Sequence, residues 1–142
     1  WAMAGIARVI DLLPDSFVKE KEELAALDTG LIEAVSAYIR PDGMVHDVLD
    51  NPDTFTEVNL PQMFAYTVYR GMSSGWLNEK YLDQAGLCLS TARAHIDDYG
   101  FIQNVCGAPD FNKAGMAPEG QAFYLLLETA AENWERKSGR ML

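Results

Sequence analysis

A chain of 142 residues is long enough for at most one ordinary domain. Hydrophobic residues make up 49% of it, with three Trp, six Tyr and six Phe, so it can build a core and is not a disordered segment. The formal net charge of −10 argues against nucleic acid and anionic membrane surfaces as partners, because both are bound through Lys and Arg.

The first two predicted helices form a hairpin. Residues 2–13 are apolar on most faces and end at Pro14. Asp15 or Ser16 can cap a second helix, which we expect to be amphipathic with one side in solvent. The apolar stripe of this second helix has a spacing of three or four residues and consists of Leu24, Leu27, Leu31, Val35 and Tyr38.

Three further helices alternate with two loops. Pro61 suits the first turn of a third helix, which is apolar nearly all round and is predicted to end at Gly71. Asn78 is a suitable cap for a fourth, half-exposed helix. Pro118 opens a fifth helix whose residues 122–127 are again apolar all round, and the tail over 136–142 is expected to fray. The two loops run from 40 to about 59 and from 97 to 117.

One pattern occurs twice, as a turn containing Gly, a short apolar stretch, a proline, a glutamate and an apolar helical run. The first copy covers 42–66 and includes Glu57, and the second covers 99–125 and includes Glu119. The apolar patterns of the five helices also predict that buried helices alternate with half-exposed ones, as in two concentric layers. The predicted fold is all-α, a partial (α/α)6 toroid of helical hairpins with about five main helices.

Several side chains could carry chemistry, and most have a structural explanation. Residues 71–75 match Gly-x-Ser-x-Gly, but no strand precedes them, so a helix C-cap and turn is favoured over a nucleophile elbow. Two carboxylates of the first loop could act as general acid and base, but each is expected instead to cap a turn or the next helix; they are Asp42, Asp47, Asp50, Asp53 and Glu57. Glu57 and Glu119, in matching places before the two buried helices, are expected to accept backbone N–H groups. Two isolated His residues predict no metal site.

His46 is the better functional candidate of the two histidines because it lies in the repeated loop, whereas His95 lies on a helix. Among the aromatic residues near loops, Trp1 is retained as the candidate for stacking on a sugar ring. Three cations could meet a carboxylate ligand, namely Arg8, Arg40 and Arg70. Cys88 and Cys106 can form one disulfide or remain two free thiols.

An ordered set of segments resembles the six-hairpin glycosidases of glycoside hydrolase family 105, the unsaturated rhamnogalacturonyl hydrolases. The segments are residues 1–14, 42–52, 57–66, 75–81, 106–107 and 120–126. The resemblance implies hydrolysis of a 4,5-unsaturated uronic acid at the end of pectin-derived oligosaccharides. It implies an Asp that protonates the vinyl ether, no cofactor and no metal. It makes Trp1 a substrate-pocket residue and His46 a neighbour of that pocket.

The chain resembles only part of this family. Residues 1–142 match the C-terminal portion of a single six-hairpin domain, and the family's catalytic Asp lies upstream of Trp1, so we expect this chain to be inactive alone. Val45 and Asp47 stand where many members carry Trp and Gln. Exposed inner helices would allow self-association. The catalytic residue and the compartment, cytoplasmic or secreted, remain open.

Two alternatives are kept. One is a non-catalytic helical repeat module that binds a protein partner through a broad apolar groove. The other is a related toroid that acts on unsaturated glucuronyl sugars. Only a comparison of substrates can separate this activity from that of an unsaturated rhamnogalacturonyl hydrolase.

Overall fold

The computed structural model describes residues 1–107, 109 and 111–139 and builds this part of the chain on five α-helices. The helices are α1 (Ala2–Leu12), α2 (Val18–Ser36), α3 (Asn59–Ser74), α4 (Leu82–Ala94) and α5 (Pro118–Ser138). They pack as helical hairpins and form part of an (α/α)6 toroid, so the predicted fold class is confirmed. Helix α5 continues through 136–138, where fraying was expected, and 140–142 lie outside the described residues.

The helices form two layers around α3. Helices α1, α4 and α5 all contact α3, while α2 packs mainly on α1. The inner layer is α1, α3 and α5, which contact one another in sequence, and the outer layer is α2 and α4, each of which packs mainly on one inner helix. The expectation of three helices buried all round is correct for α3 and wrong for the other two. Leu12 on α1 is 80% exposed and Leu125 on α5 is 59% exposed, because only α3 has a described inner-layer neighbour on both sides.

The predicted apolar stripe of α2 is only partly correct: Leu31 and Val35 are partly buried against the core, but Tyr38 is exposed. Leu27 is 56% exposed, and the buried residues of the helix are Asp28 and Ile32. The helix begins after Phe17 without a side-chain cap, so neither Asp15 nor Ser16 has the predicted role. Burial raises the pKa of Asp28 to about 7, and neither of its carboxylate oxygens has a hydrogen-bond partner among the described residues.

Each of the two loops contains a short antiparallel ladder that the sequence pattern did not predict. The ladders pair β1 (Val45–His46) with β2 (Thr56–Glu57), and β3 (Val105–Cys106) with β4 (Ala114–Gly115). In both copies of the repeat a ladder leads into an inner helix. Val45 lies opposite Glu57, and Val105 lies opposite Gly115. Gly115 therefore occupies the place of Glu57, and the expectation that Glu119 matches Glu57 is wrong.

The end of α3 lies three residues beyond the predicted one. Gly71 is inside the helix, where a Cβ atom would lie 2.8–2.9 Å from Leu77 and Trp76. The cap is Gly75, with φ of 78°, so the Gly-x-Ser-x-Gly segment is a helix end as expected. Asn78 accepts a hydrogen bond from the Lys80 N–H at 3.0 Å and caps a 3₁₀ turn that leads into α4. No helix in the described part of the chain combines the length and apolarity needed to cross a bilayer.

Candidate functional site

A cavity of about 240 Å³ opens where the three inner helices begin. Trp1 precedes α1, Leu60 lies in the first turn of α3, and Glu119 lies in the first turn of α5. His46 comes from the first ladder and Cys106 from the second, and all of these line the cavity. The two residues predicted to bind substrate, Trp1 and His46, are thus brought to one place.

Trp1 presents an open aromatic surface to this cavity. Its side chain is 72% exposed, and its ring meets the Phe123 ring edge-on with 5.1 Å between centroids. The amino group of Trp1 lies 3.3 Å from the Met63 sulfur. The contact with Phe123 holds one edge of the indole and leaves much of its surface free to stack on a planar or sugar ring.

His46 is half-buried and held through both ring nitrogens. Its Nε2 lies 2.9 Å from Nη1 of Arg40, and its Nδ1 lies 2.9 Å from the Thr54 carbonyl oxygen. Arg40 is itself paired with Asp42, with 3.0 Å between Nη2 and Oδ2. The ring therefore has a fixed position at the edge of the cavity.

Glu57 has the structural role expected of it. The carboxylate is 4% exposed and accepts the N–H groups of Asn59 at 2.5 Å and Leu60 at 3.0 Å, at the start of α3. It also lies 3.4 Å from the Cys106 N–H. Burial raises the pKa of Glu57, and these three N–H groups oppose that shift. Its oxygens are occupied by the backbone, which leaves them poorly placed for proton transfer to a ligand.

Three carboxylates surround the thiol of Cys106. Burial is the main cause that raises its pKa to about 12, followed by a hydrogen bond with Asp47 and by the negative charges of Asp47, Glu57 and Glu119. Burial likewise raises the pKa of Cys88 to about 12. Both cysteines are free thiols rather than a disulfide. Each is held protonated at neutral pH, so neither is a nucleophile.

The remaining candidates are not part of the described lining of this cavity. Arg70 pairs with Asp11, and Arg40 pairs with Asp42, so two of the three candidate cations already have carboxylate partners. His95 lies 2.8 Å through Nδ1 from the Thr91 carbonyl oxygen and belongs to α4 packing. The described lining of the cavity contains no Lys or Arg. Within the described ranges, no three His, Cys, Asp or Glu side chains are arranged to hold a metal ion.

A larger apolar groove of about 600 Å³ lies beside the start of α5. Phe101, Met116 and Leu125 line it and are each more than half exposed. Among the described residues, no acidic or basic side chain lines the groove. It therefore lacks groups for acid–base chemistry, and the smaller cavity is the candidate functional site.

Sequence reasoning missed three residues of the site. Asn59 donates from Nδ2 to the Cys106 carbonyl oxygen at 3.3 Å and joins the two loops. The Cys106 thiol lies 3.7 Å from the carbonyl oxygen of Phe111, whose side chain is 61% exposed. In the structure Cys106 aligns with His46 at the end of the equivalent strand, but the sequence repeat did not indicate this, because it places Gln103 opposite His46.

Comparison with known proteins agrees with this architecture. The family model described as Glycosyl Hydrolase Family 88 matches residues 1–135. A possible member of glycoside hydrolase family 105 from Salmonella enterica superposes with a TM-score of 0.81 at 21% identity, over 92% of this chain and 37% of that one. A family 88 glycosyl hydrolase from Bacteroides vulgatus superposes with a TM-score of 0.84 at 20% identity, over 94% and 41%.

A family 105 glycoside hydrolase from C. acetobutylicum gives a TM-score of 0.75 at 18% identity, over 94% of this chain and 43% of that one. The chain thus spans about two-fifths of the length of these structures. Among curated protein sequences, none is similar enough to count as a match.

Proposed function

The chain belongs to Glycosyl Hydrolase Family 88, and on that basis we propose that it supplies part of the substrate site of a glycosidase. The proposed substrate is a pectin-derived rhamnogalacturonan oligosaccharide that carries a 4,5-unsaturated uronic acid at its end. The observation that carries the proposal is the meeting of Trp1 and His46 in one cavity beside three carboxylates. An aromatic surface next to hydrogen-bond acceptors suits a sugar, whose ring stacks while its hydroxyl groups donate.

The proposed reaction is hydration of the vinyl ether. A carboxylic acid donates a proton to one carbon of the double bond, and the neighbouring carbon, bonded to the ring oxygen, accepts a water molecule. That water loses a proton to the conjugate base and leaves a hemiketal. The hemiketal collapses, opens the ring and releases the rest of the oligosaccharide. The acid is regenerated, so no cofactor is consumed.

The carboxylates of this chain differ in their fitness as the general acid. The guanidinium of Arg40 lowers the pKa of Asp42, so Asp42 is held ionised. The oxygens of Glu57 are occupied by N–H groups. Asp47 is exposed and lines the cavity. We propose that the chain lacks the family's general acid, and that Asp47 is the first residue to test if turnover is nevertheless seen.

The test uses the chain and an unsaturated rhamnogalacturonan disaccharide, with binding followed by NMR and turnover by the ultraviolet absorbance of the conjugated double bond. We expect saturable changes at the Trp1 indole and at the His46 ring, with no loss of absorbance. The saturated disaccharide serves as the matched ligand control. Absence of binding by both disaccharides would contradict the proposal. Loss of absorbance that Asp47→Asn abolishes would place the general acid in this chain.

A substrate comparison tests the related glucuronyl function. The same titration is repeated with an unsaturated glucuronyl disaccharide from a glycosaminoglycan. Tighter binding of the rhamnogalacturonan ligand supports the proposed substrate, and the opposite order supports the related toroid instead. The apolar groove at Phe101, Met116 and Leu125 is the feature that a partner-binding module would use. Sugar binding at Trp1 would leave the NMR signals of these three groove residues unchanged.

A further inference from the structure

A tight turn before β1 places the guanidinium of Arg40 between a carboxylate and an imidazole. Nε of Arg40 donates to both Asp42 oxygens at 3.2 Å, and Nη2 donates to Oδ2 at 3.0 Å. Nη1 of the same group lies 2.9 Å from Nε2 of His46. Three of the five guanidinium N–H bonds are thus directed at two side chains, which fixes the plane of the group.

The chemistry of the neighbours determines which nitrogen of His46 carries the proton. A guanidinium only donates, so Nε2 of His46 must accept with its lone pair. The Thr54 carbonyl oxygen only accepts, so Nδ1 at 2.9 Å must carry the hydrogen and donate it. A second proton on Nε2 would point at the Arg40 cation. The ring is therefore the neutral Nδ1–H imidazole, with no nitrogen left for a ligand.

The turn that carries Arg40 is held in several places. The Arg40 N–H donates to the Met44 carbonyl oxygen at 2.9 Å, and the Met44 N–H donates to Asp42 at 3.1 Å. Thr91 on α4 donates its hydroxyl to the Asp42 carbonyl oxygen at 2.9 Å. The ion pair also raises the pKa of Arg40 and lowers that of Asp42, so both groups stay charged. The guanidinium has a fixed support rather than a mobile one.

We infer that Arg40, oriented by Asp42, is a positioning residue that holds His46 as the neutral Nδ1–H imidazole. The ring then meets an oligosaccharide through its carbon edge and faces, and it takes no part in proton transfer. The identity of the ligand rests on the proposed function. The state of the ring does not, and the two can be tested separately.

The first measurement is a long-range proton–nitrogen NMR spectrum of the imidazole rings in the full chain. His95 is the internal reference, because its Nδ1 also faces a carbonyl oxygen while the described structure gives its Nε2 no hydrogen bond. We expect a proton on Nδ1 of both rings and an Nε2 signal displaced toward hydrogen-bonded values in His46 alone. Arg40→Met should abolish that displacement, and Arg40→Lys, which keeps one donor, should restore part of it.

The second measurement is the affinity of the unsaturated rhamnogalacturonan disaccharide. Arg40→Met and His46→Ala should each weaken binding about tenfold, and the double variant should be no weaker than His46→Ala. A proton on Nε2 of His46, or an Nε2 signal unchanged in Arg40→Met, would overturn the positioning role whatever the sugar does. A correct ring signature without sugar binding to the unsubstituted chain would support the positioning role and refute the proposed ligand.

Folding is monitored by circular dichroism in each variant. If Arg40→Met does not fold, Asp42→Asn provides the second route, because it keeps the Arg40 donor and removes half of the carboxylate that orients it. A displacement of the His46 Nε2 signal in Asp42→Asn, with His95 unchanged, supports the inference. An unaltered His46 signal in a folded Asp42→Asn overturns the role assigned to Asp42.

Discussion

Gly43 and Thr91 lie so close that a Cβ atom on Gly43 would come within 2.2 Å of the Thr91 hydroxyl oxygen. That hydroxyl is the group that ties the Arg40–Met44 turn to α4. Gly43 also has φ of 76°, which L side chains rarely adopt. The turn that positions His46 thus depends on a residue without a side chain.

Gly43→Ala should destabilise the chain by about 3 kcal/mol, from the left-handed backbone and from the collision with Thr91. The matched control is Gly75→Ala, because Gly75 has φ of 78° and nothing within 4 Å of its added Cβ. The control should cost only about 1 kcal/mol. Urea unfolding followed by circular dichroism measures both, and equal losses would show that Thr91 does not oppose the new methyl group.

Asp28 should make stability fall as pH rises. Its pKa is about 7 in the folded chain against 3.8 as the ordinary value, so between these values the folded state binds a proton that the unfolded state has lost. The contribution of this bound proton to the free energy of unfolding is fully present below about pH 4 and is lost by about pH 7. Its size is roughly 4 kcal/mol. Asp28→Asn removes a titrating group and should flatten this part of the curve.

The control for Asp28 is Asp50→Asn, which removes an equal charge from an exposed loop position. This variant should keep the decline in the free energy of unfolding between acid and neutral pH. The measurement is urea unfolding at several pH values. A decline of equal size in both variants would assign it to the overall negative charge rather than to the buried carboxylate.

Glu57→Gln should destabilise α3 by about 1–3 kcal/mol. Two carboxylate oxygens accept the Asn59, Leu60 and Cys106 N–H groups, whereas a Gln amide offers one oxygen and would direct its NH₂ group at another donor. Glu132→Gln on the exposed side of α5 is the charge-matched control and should change the midpoint temperature of thermal unfolding little. Equal thermal midpoints of the two variants would show that Glu57 does not cap the helix.

Cys106 should react slowly with a thiol reagent although it is partly exposed. With a pKa of about 12, the thiolate fraction at pH 8 is on the order of one in ten thousand. Asp47→Asn removes a hydrogen-bond partner and a nearby negative charge, so it should speed the reaction. Asp50→Asn is the control for net charge. A Cys106 rate equal to that of a small free thiol, or no acceleration in Asp47→Asn, would contradict this account.

The apolar pattern predicts the burial of α3 well and that of α2 only in part, for a physical reason. Helix α3 is surrounded by other elements, so nearly every face carries apolar residues and the pattern is unambiguous. Helix α2 has a single buried side, which depends on what packs against it. A carboxylate at Asp28 hides this side, because an acidic residue in a helical sequence ordinarily indicates the exposed face.

The site could be predicted only in part. Trp1 and His46 stand out because of their residue types and their places beside a loop. The ladders did not stand out, since strands of two residues are too short to show alternation. Asn59 contacts Cys106 of the second ladder, and such contacts between distant parts of the chain follow from tertiary packing. The pairing of Arg40 with His46 also depends on the turn at Gly43.

The common starting place of α1, α3 and α5 has an electrostatic consequence. The backbone dipoles of a helix sum to roughly half a positive elementary charge at its N-terminus. Three such ends converge on the cavity, where they offset the charges of Asp47, Glu57 and Glu119. The local potential is therefore a balance between main chain and side chains. Protonation of a single carboxylate would make this local potential less negative.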